Sequence, residues 1–331
     1  MVDQCVFDYR AAYSGPRKSF TMASVRSRGT DAPTDPMPDP PAVSARAVMP
    51  LWGWLAILAV TTFGGILRFW HLDRPHTLVF DETYYVKQGW SMFQAGYELK
   101  WAGGRKVVDP KWVAGDTHIF TTDPEFVVHP PVGKWMIGAG EWIFGPTSSF
   151  GWRFSAALIG TLSILMLALI ARRLFHSPLL AVTAALLLAV DGEHYVHSRT
   201  GLLDIFVMFW ALFAFGCLLI DRDTARHRLA VRIADRQARD RALGLFGPGL
   251  GLRWWRVAAA VCLGLCIGTK WSGLYFAVVF GVMAICWDVS ARRAAGLRHW
   301  LSGGLLRDGL LAVVVMAPVA LAVYLASWTS L

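Results

Sequence analysis

Two adjacent carboxylates, Asp81 and Glu82, stand in the run Val79-Phe80-Asp81-Glu82-Thr83-Tyr84-Tyr85. Such a pair can activate a hydroxyl, because each acid raises the other's pKa by like-charge repulsion and one can then act as base. The same two charges also suit a plain interface loop, so their surroundings must decide. Four cations could complement them: Lys134, Arg153, Arg199 and Lys270. A guanidinium offers phosphate a two-pronged fork and an ammonium a point charge, which fits a lipid-linked phosphate entering from a membrane leaflet. His129 is an acid-base candidate by type, while Pro130-Pro131 behind it equally suit a rigid joint. Asp204 could pair with a cation to join helices.

Other patterns carry less. His194 and His197 sit three apart without a third ligand at a suitable spacing, and Cys262 and Cys266 share a helix face without a matching pair, so no metal site is read. Asp221-Arg222-Asp223 fits the D-x-D pattern of metal-dependent nucleotide-sugar enzymes, but it opens a charge-rich stretch and reads better as a membrane anchor. A phosphate-binding P-loop and a dinucleotide fingerprint are both missing from the sequence.

The elements that must hold these residues are membrane helices. Of 331 residues 55% are hydrophobic and only 17% charged, with 16 Trp, which excludes an ordinary soluble domain. The net charge of +9 gathers beside apolar segments, as topology signals do, so no nucleic-acid partner is expected. Residues 1–48 read as a disordered cytoplasmic tail and 49–331 as the membrane domain. About seven spans are expected, near residues 51–70, 154–170, 174–190, 201–220, 257–268, 274–289 and 310–327, the fifth being short for a full crossing.

Arg26, Arg28 and Arg46 precede the first span, Arg172-Arg173 follow the second, and nine arginines lie in 221–256, which reads as a basic cytoplasmic loop. That places the amino terminus in the cytoplasm and 71–150 outside, as a large first extracytoplasmic loop with an interfacial helix at 135–144. All the candidate residues then fall at the outer boundary.

Five runs in order, Phe80-Asp81-Glu82, His129 to Lys134, Gly151 to Phe154, Ser198 to Asp204 and Gly268 to Gly273, resemble the dolichyl- or polyprenyl-phosphate-mannose protein O-mannosyltransferases of actinobacterial type. The resemblance covers residues 68–324. It implies an all-α polytopic GT-C glycosyltransferase of the cell membrane that moves mannose from polyprenyl-phosphate-mannose to Ser or Thr of exported proteins, meeting them at the Sec translocon, in a single inverting displacement.

By the same resemblance Asp81 is the catalytic base with Glu82 shaping the site, and Arg153 is the family's essential arginine. Lys134, Arg199 and Lys270, with His129 nearby, are candidates beside the lipid phosphate, and Asp204 supports the site. The resemblance implies no cofactor, since the lipid-linked sugar brings its own leaving group. Family members run beyond a seventh span, so this chain reads as truncated at its carboxy end, and residues 98–125 read as longer than in relatives. Two competing readings remain: a transferase with a lipid or glycan acceptor, and a transporter, whose charges would lie at the midplane of inverted repeats.

Overall fold

The computed structural model describes residues 49–329, so the reading of 1–48 as a disordered tail lies outside the described residues. Seven apolar helices make the bundle: α1 (Leu51–Phe69), α5 (Ser149–Phe175), α6 (Pro178–Val190), α8 (Asp204–Ala238), α9 (Trp254–Thr269), α10 (Gly273–Ala294) and α11 (Trp300–Ala326). Five are long and apolar enough to cross a membrane; α6 and α9, with 13 and 16 residues, are shorter. At 1.5 Å per residue α9 reaches only about 24 Å.

Local chemistry sets the helix ends. Ser177 caps α6 by accepting from Leu180 N–H, Pro178 follows at the first helical position, and His176 ends α5 in the left-handed region at φ 53°. Arg172 and Arg173 lie in the last turn of α5, where they complement the helix dipole.

One boundary differs from expectation. The stretch from residue 221 is not a loop throughout, because α8 continues to Ala238. Ala225, Leu229 and Ile233 recur every four residues on one face and are buried with Leu250 and Leu297, so the apolar stripe outlasts the hydrophobic run. Helix α11 also carries a π-helical stretch, Gly303–Gly309, before its apolar part.

Between α1 and α5 the chain folds into α2 (Glu82–Ala95), α3 (Arg105–Val113), α4 (Val132–Phe144) and a two-stranded antiparallel ribbon of β1 (Leu99–Trp101) and β2 (Phe120–Pro124). Helix α4 starts three residues before the expected 135, directly after Pro131. Helix α2 buries Tyr85, Val86, Gly89 and Met92, and Gly96 closes it at φ 81°.

Helices α2 and α4 meet backbone to backbone. A Cβ on Gly89 would lie 2.9 Å from Lys134 O, and one on Gly138 would lie 2.6 Å from Gly89 O. A short helix α7 (Gly192–His197) lies between α6 and α8, N-capped by Asp191. Tyr85, Val86 and Ile137 share one core with Trp152 of α5 and with Leu203 and Phe206 at the start of α8, which binds the region after α1 to the bundle.

Candidate active site

The two acids separate at once. Phe80 takes a left-handed conformation at φ 53°, and the turn it makes leaves Asp81 at the N-cap of α2 and Glu82 as its first residue. Glu82 is 0% exposed and accepts four hydrogen bonds: Oε1 from Arg153 Nε and Gly201 N–H, Oε2 from Arg153 Nη2 and Val79 N–H, each at 2.8 Å. Such a carboxylate has no free lone-pair direction for a substrate proton.

Arg153 is equally committed. Besides Glu82 it donates to the carbonyls of Leu72 (3.3 Å), Pro75 (3.0 Å) and Thr77 (3.0 Å), so its five N–H groups all have partners. The pair clamps 72–82 to α5 and, through Gly201, to the start of α8. Its place is therefore support, and the like-charge argument gives way, since Arg153 neutralises Glu82.

Asp81 is the acid left over. It is partly exposed, and the Tyr85 hydroxyl stands 3.5 Å from its Oδ2. Burial first, then the charges of Asp81 and Asp204, push the Tyr85 phenol up, so it stays protonated and turns its O–H to Asp81. The Tyr85 ring lies 6.0 Å from that of His129. Burial, with Lys270 and Lys134 adding to it against the pull of Asp204 and Asp81, holds the His129 imidazole below its ordinary pKa and so neutral near pH 7. Lys270, in the turn between α9 and α10, donates to Asp204 Oδ1 at 2.9 Å, and both side chains reach solvent. Asp81, Tyr85, His129, Asp204 and Lys270 thus share one electrostatic neighbourhood.

Two of the expected phosphate ligands are turned elsewhere. Lys134 is fully buried and donates to Glu98 Oε1 (2.5 Å) and to His129 O (3.0 Å), pinning α4 to the chain before β1. Burial drives Lys134 down and Glu98 up, both toward their neutral forms. Arg199 donates to the carbonyls of Leu67 (2.8 Å), Arg68 (3.2 Å), Trp70 (2.6 Å) and His71 (2.9 Å), at and just past the end of α1.

Sequence reading missed Tyr85 and Arg68. The signal for Arg68 was a lone charge inside an apolar run. Its guanidinium is buried and donates to Gly64 O (2.9 Å), Ala189 O (3.2 Å), Leu188 O (3.3 Å), Ser198 Oγ (3.2 Å) and His194 Nδ1 (2.6 Å). Because arginine only donates, Nδ1 is the acceptor and the His194 proton sits on Nε2. Burial and Arg68 lower the His194 pKa to about 4, against the opposing pull of Asp191. His194, Asp191, Glu193, His197 and Asp204 line a cleft of about 320 Å³ beside the Lys270 pair.

The D-x-D acids are spent on ion pairs. Asp221 binds Arg253 and Arg256, and Asp223 binds Arg173 and Arg222.

The profile of the dolichyl-phosphate-mannose-protein mannosyltransferase family matches residues 58–230, just over half of the chain. A polyprenol-phosphate-mannose–protein mannosyltransferase of Mycolicibacterium smegmatis is 38% identical over 286 residues, covering 83% of this chain and 49% of that protein. Its namesake from Mycobacterium tuberculosis is 36% identical over 320 residues, covering 95% of this chain and 56% of that one. The chain spans about half the length of the curated relatives it matches.

Among solved structures, the S. cerevisiae protein O-mannosyltransferase Pmt1-Pmt2 complex bound to the sugar donor aligns with a TM-score of 0.58 at 18% identity, covering 86% of this chain and 34% of that one. That likeness shows a shared fold. Profile, relatives and fold together make this chain a member of the dolichyl-phosphate-mannose-protein mannosyltransferase family.

Proposed function

We propose that this protein transfers mannose from polyprenyl-phosphate-mannose to Ser or Thr hydroxyls of exported proteins, on the extracytoplasmic side of the cell membrane, with its amino terminus in the cytoplasm and its acceptors arriving from the Sec translocon. One observation carries the reading: of the two adjacent acids, Asp81 alone keeps a partly exposed carboxylate, with only the Tyr85 hydroxyl on it among the described side chains, on a platform that Glu82 and Arg153 lock. Asp81 takes the acceptor's hydroxyl proton, the oxygen attacks the anomeric carbon, and the bond from that carbon to the phosphate oxygen breaks with inversion. Lys270 is the cation with donors to spare near Asp81, and it offsets charge on the departing lipid phosphate. Tyr85 orients the Asp81 carboxylate.

Membership of this family leaves the transporter reading without support. A transferase with a lipid or glycan acceptor would use the same Asp81 chemistry, so the acceptor has to be tested directly.

Membranes carrying the wild-type protein are expected to transfer labelled mannose from polyprenyl-phosphate-mannose to a Ser/Thr-rich peptide. Asp81→Asn is expected to lower that rate by about 10²–10⁴-fold, the usual share of a general base, with the folded yield unchanged. An Asp81→Asn protein that keeps the wild-type rate would remove Asp81 as base, and label appearing in lipid or glycan while the peptide stays unlabelled would change the acceptor class.

A further inference from the structure

At the end of the bundle away from Asp81 lies a cluster of arginines that the transfer reaction does not use. Helix α8 starts at Asp204 and α9 ends at Lys270, so Asp221 and the N-cap of α9, Arg253, lie toward the opposite end. Arg253 and Arg256 both bind Asp221 and Asp288, at 2.5 to 3.1 Å. Arg292 grips Asp308 through two bonds of 2.6 and 2.9 Å and also donates to Phe246 O and Pro248 O. Arg228, Arg232 and Arg307 donate to the carbonyls of Leu252, Gly249 and Gly247. Arg253, Arg256 and Arg292 are thus matched by three aspartates, while Arg228, Arg232 and Arg307 are held by carbonyls.

A cleft of about 330 Å³ opens here, lined on one side by Arg253, Arg256 and Arg307 with Asp308, whose carboxylate Arg292 holds, and on the other by Leu252, Leu311 and Val315. Of the three lining arginines, Arg307 alone has no carboxylate partner among the described residues; it donates to Gly247 O at 2.6 Å. It belongs to the π-helical stretch Gly303–Gly309, whose wider turn changes the direction its side chain takes. Room at the mouth is made by Gly249, where a Cβ would lie 2.5 Å from Arg307 Nη2.

The depth of the cleft also shows. Trp254 and Trp255, next to Arg253, are 68% and 45% exposed, as aromatic residues of a headgroup belt are, and Leu311 is 58% exposed on α11. A cationic floor, an apolar wall and headgroup depth together match one class of molecule, a lipid with net negative charge.

We propose that this cleft binds one anionic phospholipid, its phosphodiester on Arg307 with Arg253 and Arg256 behind it and an acyl chain along Leu311 and Val315. A zwitterionic lipid would bring a second cation against Arg307, the lining arginine that no carboxylate balances among the described residues, so selectivity for net-anionic headgroups follows.

The test uses the purified protein in neutral detergent, with melting temperature and native mass spectrometry read against added phosphatidylglycerol, phosphatidylcholine and sn-glycerol 3-phosphate. Wild type is expected to retain one phosphatidylglycerol and to gain melting temperature with it, and with neither other ligand. Arg307→Gln is expected to weaken that binding about tenfold or more, as loss of a hydrogen bond to a charged group does. Val315→Trp, which fills the cleft and leaves every arginine in place, is expected to abolish binding. Arg239→Gln, which breaks only the exposed pair with Asp235, keeps it. Equal stabilisation by phosphatidylcholine, full stabilisation by glycerol phosphate alone, or unchanged phosphatidylglycerol binding in Val315→Trp would each overturn the proposal.

Discussion

At the scale of the residue, adjacency in sequence is a poor guide to shared work. Asp81 and Glu82 are neighbours, yet one faces the rim and the other is sealed under Arg153. Their variants should therefore fail in different ways. Removing Glu82 strands a buried guanidinium, and breaking a buried pair from one side costs about 3–5 kcal/mol. Glu82→Ala is thus expected to lower the melting temperature and folded yield sharply in detergent, where Asp81→Asn leaves both intact. Equal melting temperatures for the two variants would contradict the division.

His194 gives a second residue-level expectation. Its pKa falls from the ordinary 6.5 to about 4 in the fold, by burial and the Arg68 charge. Above pH 6.5 neither state binds the proton. Below it the unfolded chain takes up a proton that the fold refuses, so this contribution to stability is lost as pH falls from 6.5 toward 4. The drop in melting temperature over that window is expected to be smaller in His194→Gln than in wild type.

At the scale of the element, the candidate base depends on how α2 sits against α4. The two helices touch through Gly89 and Gly138 with no room for a side chain, and α4 meets α5 in the same manner, where a Cβ on Gly140 would lie 2.4 Å from Gly151 O. Gly89→Leu is expected to push α2 off α4, costing about 1–3 kcal/mol as overpacking does. Because Asp81 heads α2, mannose transfer should fall more steeply than folded yield, although Gly89 touches no substrate. A transfer rate that simply tracks the amount of folded protein would show that the seat of α2 does not govern Asp81.

Over the whole molecule, charge chemistry divides between the two ends of the bundle. One end carries Asp81, His129, Asp204 and Lys270; the other carries the arginine network around Asp221, Asp288 and Asp308. If the first end faces outward, a membrane-impermeant maleimide applied to intact cells should label Glu193→Cys and spare Arg239→Cys, in a background with the native cysteines replaced. Labelling only of Arg239→Cys would invert the orientation.

The apolar runs, the arginines beside them and the order of the short motifs were all legible in the chain, because the cost of burying charge in a bilayer dictates span placement from composition alone. Asp81 stood out for the same reason, as an acid just past a span. Legibility ended where partners lie far apart in sequence. Arg153 meets Glu82 across 71 residues, Lys134 meets Glu98 across 36, and Arg68 meets His194 across 126. A buried cation and a phosphate-seeking cation look alike in a sequence, since both are conspicuous charges beside apolar segments. Only the folded chain reveals which donors are already taken, and that satisfaction of buried hydrogen-bonding groups sealed Arg153 and Lys134 in the interior while leaving Asp81 and Lys270 partly exposed.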